Sequence, residues 1–156
     1  MHPFSHQDST SLRIMVVEDD ALIGMLLTEM LESMGHSVCA VAINQLDAVA
    51  AALQYTPDLM LVDARLRQGC GIAAVTEILR SGFIPHAFVT GDTAEVHLQM
   101  PNAVVIDKPF REQDLMQGIQ QALEPNRSAR KKTGSEPVRG FHDEQTITAH
   151  LGYRVI

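Results

Sequence analysis

The chain has 156 residues, of which 46% are hydrophobic and 20% charged, with no tryptophan. This length allows one domain of ordinary size with a short surplus, and the composition is too apolar for a wholly disordered chain. Residues 1–124 carry 6 basic and 16 acidic side chains, whereas residues 125–156 carry 6 basic and 3 acidic ones. The acidic part, residues 1–124, is expected to repel the phosphates of nucleic acids and anionic membranes.

The chain begins with a polar segment, residues 1–11, which we predict to be flexible and which lacks the apolar stretch of a signal peptide. No apolar run approaches the about 20 residues that a membrane-spanning helix needs, so we expect no membrane contact and a cytoplasmic location. Cys39 and Cys70 lack the spacing of a zinc site or a redox pair, and we interpret both as packing residues.

Short apolar runs and helical patterns alternate over residues 12–124. The apolar runs show little alternation, which is typical of strands buried on both faces. The predicted strands are Ile14–Val17, Val38–Ala42, Leu59–Val62, Ala87–Val89 and Ala103–Ile106. The predicted helices begin with Asp20–Met34, continue with helices that end before Pro57 and near Gly82, and close with a short fourth helix at Thr93–Leu98 and a fifth that ends at Pro125.

Helical spacing also predicts which side chains face the core. In the first helix we expect Met25, Met30 and Met34 to pack in the interior. In the second helix Leu46, Val49, Ala50 and Leu53 mark the expected apolar face.

The first helix also carries signals at both ends. Asp20 precedes it, and we interpret this residue as the N-cap rather than as a metal ligand. Gly35 follows it as a plausible C-terminal cap. The histidines His36, His86 and His97 form no phosphotransfer-helix pattern, so we interpret them as surface or loop residues.

Five strands alternating with five helices predict an α/β fold with a doubly wound, five-stranded parallel sheet and helices on both faces. The expected strand order is 2-1-3-4-5. In such sheets the ligand site lies at the carboxyl ends of the strands, beside the point where the strand order reverses. The residues that follow the predicted strands are therefore the candidates for function.

Charged and hydroxyl side chains follow four of the five predicted strands. They are Glu18, Asp19 and Asp20 after the first, Asp63 after the third, Thr90 with Gly91 after the fourth, and Asp107 with Lys108 after the fifth. Carboxylates gathered at one edge repel one another unless a cation compensates them. All-oxygen ligands with few protein donors suit Mg²⁺, so the sequence predicts a magnesium site there.

The same residues fit phosphoryl transfer, which needs an oxygen nucleophile, a divalent cation and donors for the remaining oxygens. Asp63 is the candidate nucleophile, and Glu18 and Asp19 are candidate metal ligands, directly or through water. Lys108 would supply a cation and Thr90 a hydroxyl donor. Gly91 has no side chain and leaves room for the phosphoryl group.

Four motifs carry these residues: Val16-Val17-Glu18-Asp19-Asp20, Leu61-Val62-Asp63, Val89-Thr90-Gly91 and Ile106-Asp107-Lys108-Pro109-Phe110. In this order they resemble the receiver domain of two-component response regulators over about residues 12–124. The resemblance implies a flavodoxin/CheY-like fold, phosphorylation of Asp63, and Mg²⁺ held by Asp19, Asp63 and the backbone carbonyl of Arg65, with Glu18 assisting through water. It also implies that Thr90 and Lys108 contact the phosphoryl oxygens and that the Lys108–Pro109 bond is cis.

Some positions depart from the usual receiver pattern. Val105 stands three residues before the lysine, where receivers carry an aromatic residue, so a rotating aromatic ring is excluded as the switch. The run Phe88-Val89-Thr90-Gly91 after Pro85 resembles the signature of the FATGUY subgroup of receivers. In the loop after the phosphoacceptor, Gly69 and Gly71 are expected to give the chain freedom to move.

Arg65 and Asp92 occupy the two positions that flank the phosphorylation site in receivers. We hypothesise that they pair across the site and slow hydrolysis of the acyl phosphate. The position of Gly91, Asp92 and Val105 makes all three candidate modulators of the site.

Residues 125–156 read first as a basic, linker-like stretch and are too short for a helix-turn-helix module. We expect a basic, flexible tail without an output or DNA-binding domain. The resemblance then implies a single-domain response regulator that takes its phosphoryl group from a sensor histidine kinase or a histidine phosphotransfer protein. It would signal to an unknown protein effector by contact, or serve as a phosphate sink or shuttle in a phosphorelay, and it would not be an enzyme beyond its own phosphorylation and dephosphorylation.

Two other classes share parts of this pattern. A flavodoxin-like cofactor binder needs Ser, Thr and Gly after the first strand, where this chain has acids that repel phosphate. A haloacid-dehalogenase-like phosphatase also uses an aspartyl nucleophile but needs a second aspartate two residues later, where this chain has Arg65.

Overall fold

The computed structural model describes residues 10–124. Its five parallel strands are β1 (Arg13–Val17), β2 (Ser37–Ala42), β3 (Leu59–Val62), β4 (His86–Thr90) and β5 (Val104–Asp107). Its helices are α1 (Ala21–Ser33), α2 (Gln45–Tyr55), α3 (Gly71–Leu79), α4 (Thr93–Gln99) and α5 (Glu112–Leu123). The sheet order is β2-β1-β3-β4-β5, so the predicted fold class and strand order are confirmed. The predictions for residues 1–9 and for the tail at 125–156 lie outside the described residues.

The register of the strands aligns the ends that carry the candidate residues. Val17, the last residue of β1, pairs with Val62, the last residue of β3. At the other side of the sheet Thr90 of β4 pairs with Asp107 of β5. The residues that follow β1, β3, β4 and β5 therefore meet at one edge of the sheet.

The sheet separates two apolar cores, because successive side chains of a strand point to opposite faces. One core contains Met15, Val17, Met60, Val62 and Phe88 of the strands and the buried faces of α2 and α3. The other contains Ile14, Val16, Leu59, Leu61 and Val89 with side chains of α1 and α5. Strands covered on both faces need apolar residues throughout, which explains the short continuous runs in the sequence.

The expected packing of the first helix is wrong at Met25, which is 61% exposed. The buried residues of α1 are Gly24, Leu27 and Leu31, which follow one another at helical spacing on a single face. Met25 lies off that face, whereas Met30 and Met34 pack partly buried against the core as expected.

The expected apolar face of the second helix is wrong at Leu46, Ala50 and Leu53, whereas Val49 packs partly buried against the core. Leu46 and Leu53 are 79% and 60% exposed, and the buried residues of α2 are the small Ala48 and Ala52. Large apolar side chains were a poor guide to the buried residues of this helix. Alanines allow a helix to lie close to its neighbours, but they carry little signal in a hydropathy pattern.

Several local predictions are confirmed. Asp20 caps α1, since its Oδ1 accepts hydrogen bonds from the amides of Leu22 at 2.9 Å and Ile23 at 3.3 Å. Gly35 follows the helix end with a φ of 90°, and the Lys108–Pro109 bond is cis. No helix among residues 10–124 is long and apolar enough to cross a membrane.

His86 differs from its expected surface or loop position. It is the first residue of β4 and is half-buried between aromatic rings, with ring centroids 6.2 Å from Phe83 and 5.9 Å from Phe88. Burial lowers the pKa of its imidazole, an effect that the contact of Nδ1 with the Ile84 carbonyl only partly offsets.

Candidate functional site

Three carboxylates lie together at the carboxyl edge of the sheet. Oxygen atoms of Glu18, Asp19 and Asp63 all lie within 4.8 Å of one another. Asp63 is held there by its backbone, whose N–H donates to the Val17 carbonyl at 2.8 Å. Glu18 and Asp63 are only 2% and 8% exposed, so their charges are poorly screened by water.

Besides the exposed Arg67, whose Nε lies 3.8 Å from Asp19 Oδ2, Lys108 is the cation that faces this cluster. Its Nζ donates to Asp63 Oδ2 at 2.9 Å and to Glu18 Oε2 at 3.1 Å. Burial alone would lower the pKa of Lys108, but the hydrogen bonds and charges of Asp63 and Glu18 outweigh it and raise the pKa. Burial raises the pKa of Glu18, as does the charge of Asp63, against the opposing effects of the Asp20 amide and of Lys108.

The donor set fits a hard divalent cation. Glu18, Asp19 and Asp63 offer only oxygen ligands, and Lys108 together with the exposed Arg67 still leaves an excess of negative charge in a poorly solvated place. Asp20 is not part of the group, because its carboxylate caps α1. The residues present therefore fit Mg²⁺, whereas the ligand role of the Arg65 carbonyl stays a prediction.

A cavity of about 340 Å³ opens beside Asp63. It is lined by Asp63, Arg65, Thr90, Gly91, Asp92 and Lys108. Thr90 is buried, and its hydroxyl accepts a hydrogen bond from the Asp92 amide at 3.1 Å. A Cβ built on Gly91 would meet no heavy atom within 4 Å, so this position faces open space. The cavity thus joins a carboxylate, a hydroxyl and an ammonium group around a space that a small anionic group can enter.

A larger cavity of about 790 Å³ lies at the opposite edge of the sheet. Its lining includes His86 and Val104, the first residues of β4 and β5, together with the apolar side chains of Phe83 and Met100. None of the three clustered carboxylates lines it. The smaller cavity is therefore the one that belongs to the candidate site.

Arg65 reaches across the mouth of the smaller cavity. Its Nη2 lies 2.6 Å from Asp92 Oδ2, so the structure brings together the pair that the sequence hypothesis requires. The sequence did not indicate the second contact, from Arg65 Nε to Glu95 Oε2 at 3.0 Å. The hydrogen bond and charge of Glu95, followed by the charge of Asp92, raise the pKa of Arg65. The contact with Glu95 does not follow from sequence spacing, because Glu95 lies 30 residues from Arg65.

The loop after β3 is more closely held than the sequence suggested. A Cβ on Gly71 would lie 1.8 Å from the carbonyl oxygen of Asp63, so this glycine permits close packing rather than loop movement. Gly69, with a φ of 89°, lies against Gln45. The side-chain Oε1 of Gln45 accepts a hydrogen bond from the Cys70 amide at 3.0 Å. Sequence reasoning missed Gln45, whose only signal is its place at the start of α2.

Val105 of β5 is half-buried, pairs with Phe88 of β4 and packs against one of the two cores. Its short aliphatic side chain supplies no aromatic ring at this position. A receiver-type switch in this chain therefore needs other side chains.

Comparison with known proteins adds to this geometry. Residues 14–120 match the family model of the response regulator receiver domain. The chain is 33% identical over 129 residues to the phyllosphere-induced regulator PhyR of Methylorubrum extorquens, covering 76% of this chain and 46% of that protein. It is 32% identical over 115 residues to the transcriptional regulatory protein PdtaR of Mycobacterium tuberculosis, covering 71% of this chain and 56% of that protein. The chain spans about half the length of these curated relatives.

Solved structures agree with the sequence comparisons. The solution structure of the PhyR receiver domain from Erythrobacter litoralis matches with a TM-score of 0.68 and 30% identity, covering 76% of this chain and 94% of that one. The response regulator domain of Thermotoga maritima CheB matches with a TM-score of 0.63 and 25% identity, covering 72% and 96%. None of these names the FATGUY subgroup, which stays a prediction.

Proposed function

The chain belongs to the response regulator receiver domain family, and from this premise we propose that it accepts a phosphoryl group on Asp63 in a Mg²⁺-dependent reaction. The observation that carries the proposal is the position of Asp63, which belongs to the acidic cluster and also lines the 340 Å³ cavity. Family membership also favours this function over the flavodoxin-like and phosphatase-like alternatives.

The proposed donor is the phosphohistidine of a sensor kinase or of a histidine phosphotransfer protein. One carboxylate oxygen of Asp63 forms the new P–O bond while the P–N bond of the donor breaks, and the donor imidazole keeps the electron pair and takes up a proton. Lys108 and Thr90 then donate to phosphoryl oxygens, which stabilises the charge that is transferred. Glu18, Asp19 and Asp63 would hold the Mg²⁺, which supplies neutralisation of the phosphoryl oxygens when bound.

Lys108 has a defined part in this proposal. Its ammonium group already contacts Asp63 and Glu18, so it needs only a small movement to reach an oxygen of a phosphoryl group attached to Asp63. The buried Thr90 hydroxyl lines the same cavity from the neighbouring strand. Both donors are fixed at strand ends, which reduces the reorganisation that phosphorylation requires.

We further propose that the protein acts in the cytoplasm by contact with a protein effector and is not an enzyme on a diffusible substrate. The added charge at Asp63 would bias α4 and the neighbouring β5–α5 face. A phosphate sink or shuttle is the alternative. Affinity capture with beryllofluoride-treated wild type and with Asp63→Asn separates the two, because a sink needs no partner that prefers one state.

Phosphorylation by acetyl phosphate tests the acceptor site directly. We expect a mobility shift on a phosphate-retarding gel for the wild type with Mg²⁺, none without Mg²⁺, and none for Asp63→Asn. Asp58→Asn is the matched control, since Asp58 is an exposed aspartate just before β3, at the opposite edge of the sheet. A shift that persists in Asp63→Asn, or a wild type that never shifts, contradicts the proposal.

A further inference from the structure

The Arg65 side chain joins the loop after β3 to the start of α4 through two unlike carboxylates. Asp92 lines the 340 Å³ cavity, and its Oδ1 accepts from the Glu95 amide at 3.1 Å, so it is tied to the helix backbone as the N-cap. Glu95 does not line the cavity, and its carboxylate meets Arg65 Nε from outside at 3.0 Å. Because Asp92 is fixed in place by the helix backbone, the contact with Glu95 is the one that Arg65 can more easily exchange for a group inside the cavity.

We propose that a phosphoryl group on Asp63 competes with Glu95 for the Arg65 side chain, so that phosphorylation releases the contact between the β3–α3 loop and α4. The inference rests on the proposed function, because it requires Asp63 to be the acceptor. A phosphoryl group brings a charge of about −1.5 to −2 and strong acceptor oxygens. It attracts the guanidinium group and repels the Glu95 carboxylate, whereas the Asp92 carboxylate is kept in place by the hydrogen bond that it accepts from the Glu95 amide.

Arg65 is placed to make this exchange. It stands two residues after Asp63, its amide donates to Asp63 Oδ1 at 3.0 Å, and both residues line the same cavity. A guanidinium group is a rigid planar fork with five donors, so a turn of the whole group about its Nη2 contact with Asp92 takes Nε away from Glu95 and directs another donor to a phosphoryl oxygen.

The exchange is favoured by the unequal strength of the contacts. The side chains of Arg65 and Glu95 are 69% and 37% exposed, and exposed ion pairs of this kind contribute little. Charge-assisted hydrogen bonds to phosphate are stronger and can be bidentate. The phosphoryl group therefore outcompetes a carboxylate that water already screens.

The exchange would release α4 from the β3–α3 loop only. The helix is also held by the hydroxyl of Thr93, which donates to Asp107 Oδ1 at the end of β5. That contact involves neither Arg65 nor the cavity and persists when Glu95 is released. Phosphorylation would thus loosen α4 from the β3–α3 loop but not from β5, which gives a switch without an aromatic ring at Val105.

A double-mutant cycle on the full chain tests the competition. Apparent affinity for beryllofluoride with Mg²⁺, a phosphoryl mimic, is measured by amide NMR at low ionic strength for wild type, Glu95→Gln, Arg65→Gln and the double variant. We expect Glu95→Gln to bind about two- to fivefold more tightly than wild type, and Arg65→Gln to bind more weakly. In the Arg65→Gln background, Glu95→Gln should have no effect. Glu77→Gln, an exposed glutamate of α3, is the control and should match wild type.

A second readout follows the helix itself. In wild type the amides of Glu95 and Val96 should shift on addition of beryllofluoride, and in Arg65→Gln they should lie near the shifted position before any addition. Equal affinity of wild type and Glu95→Gln, or equal tightening in both Arg65 backgrounds, overturns the inference. Wild type that does not bind, or Asp63→Asn that binds equally well, instead overturns the proposed function.

Discussion

Replacement of Gly71 by alanine tests whether close packing behind the acceptor positions Asp63. A Cβ at Gly71 would lie 1.8 Å from the Asp63 carbonyl oxygen and 2.8 Å from its carbonyl carbon. Both are backbone atoms, so relief requires the end of β3 or the start of α3 to move by more than an ångström. We therefore expect a loss near the upper end of the usual range for overpacking, about 3 kcal/mol, or about 10 °C in Tm.

Two other glycines provide graded controls. A Cβ on Gly24 would meet only Val41 Cγ1 at 3.8 Å, so Gly24→Ala should stabilise α1 by about 0.5–1 kcal/mol through helix propensity. A Cβ on Gly118 would lie 2.4 Å from Ile106 Cδ1 and 2.5 Å from Ile106 Cγ1, which are side-chain atoms and shift more easily than backbone. Gly118→Ala should therefore cost about 1 kcal/mol, between the other two.

Urea unfolding followed by circular dichroism measures all three variants, since the chain has no tryptophan to report by fluorescence. Phosphorylation by acetyl phosphate at a temperature where Gly71→Ala is folded gives the second measurement. We expect a slower reaction, because the displaced backbone carries the Asp63 carboxylate away from Lys108. Gly71→Ala that is as stable as Gly118→Ala and is phosphorylated at the wild-type rate would refute the reasoning.

Two further predictions concern Arg65 and His86. Arg65→Ala should shorten the lifetime of the phosphorylated protein severalfold in a dephosphorylation assay, because Arg65 covers the cavity mouth with Asp92 at 2.6 Å; an unchanged lifetime would contradict the shielding hypothesis. Burial lowers the pKa of His86 from its ordinary value of 6.5. As the pH falls below 6.5, the unfolded chain therefore binds a proton at this histidine that the folded chain does not bind. Wild type should lose stability relative to His86→Gln on acidification, by at most about 1.4 kcal/mol per pH unit, and parallel unfolding profiles for the two proteins would show the prediction to be wrong.

The buried parallel strands and the edge that carries the site were predictable because both follow from a simple pattern. Continuous apolar runs such as Leu59–Val62 require cover on two faces, and parallel strands bring their carboxyl ends to one edge. A residue that directly follows a strand is therefore placed by the strand. Asp63 and Lys108 belong to this class, and their 2.9 Å contact spans 45 residues of sequence.

Helix faces were less predictable, since burial depends on what the helix packs against and not on its own hydropathy alone. Met25 and Leu46 have apolar side chains on helices with clear periodicity, yet both are exposed because Gly24 and Ala48 face the interior. Small residues permit close approach, and a pattern based on large apolar side chains gives them no weight. The same reason hid Gly71, whose missing side chain is what matters.

The contacts of Arg65 mark the limit of sequence reasoning in another way. Position relative to the acceptor indicated Asp92 as a partner, but only the first turn of α4 brings Glu95 to the same guanidinium group. The site then contains two groups of charges, each with one more carboxylate than cations: three carboxylates against Lys108 and Arg67, and two against Arg65. Bound Mg²⁺ offsets the first imbalance and nothing in the proposed reaction offsets the second. A phosphoryl group that enters between them therefore acts on the second, where the Arg65 side chain is 69% exposed and its ion pairs cost little to break.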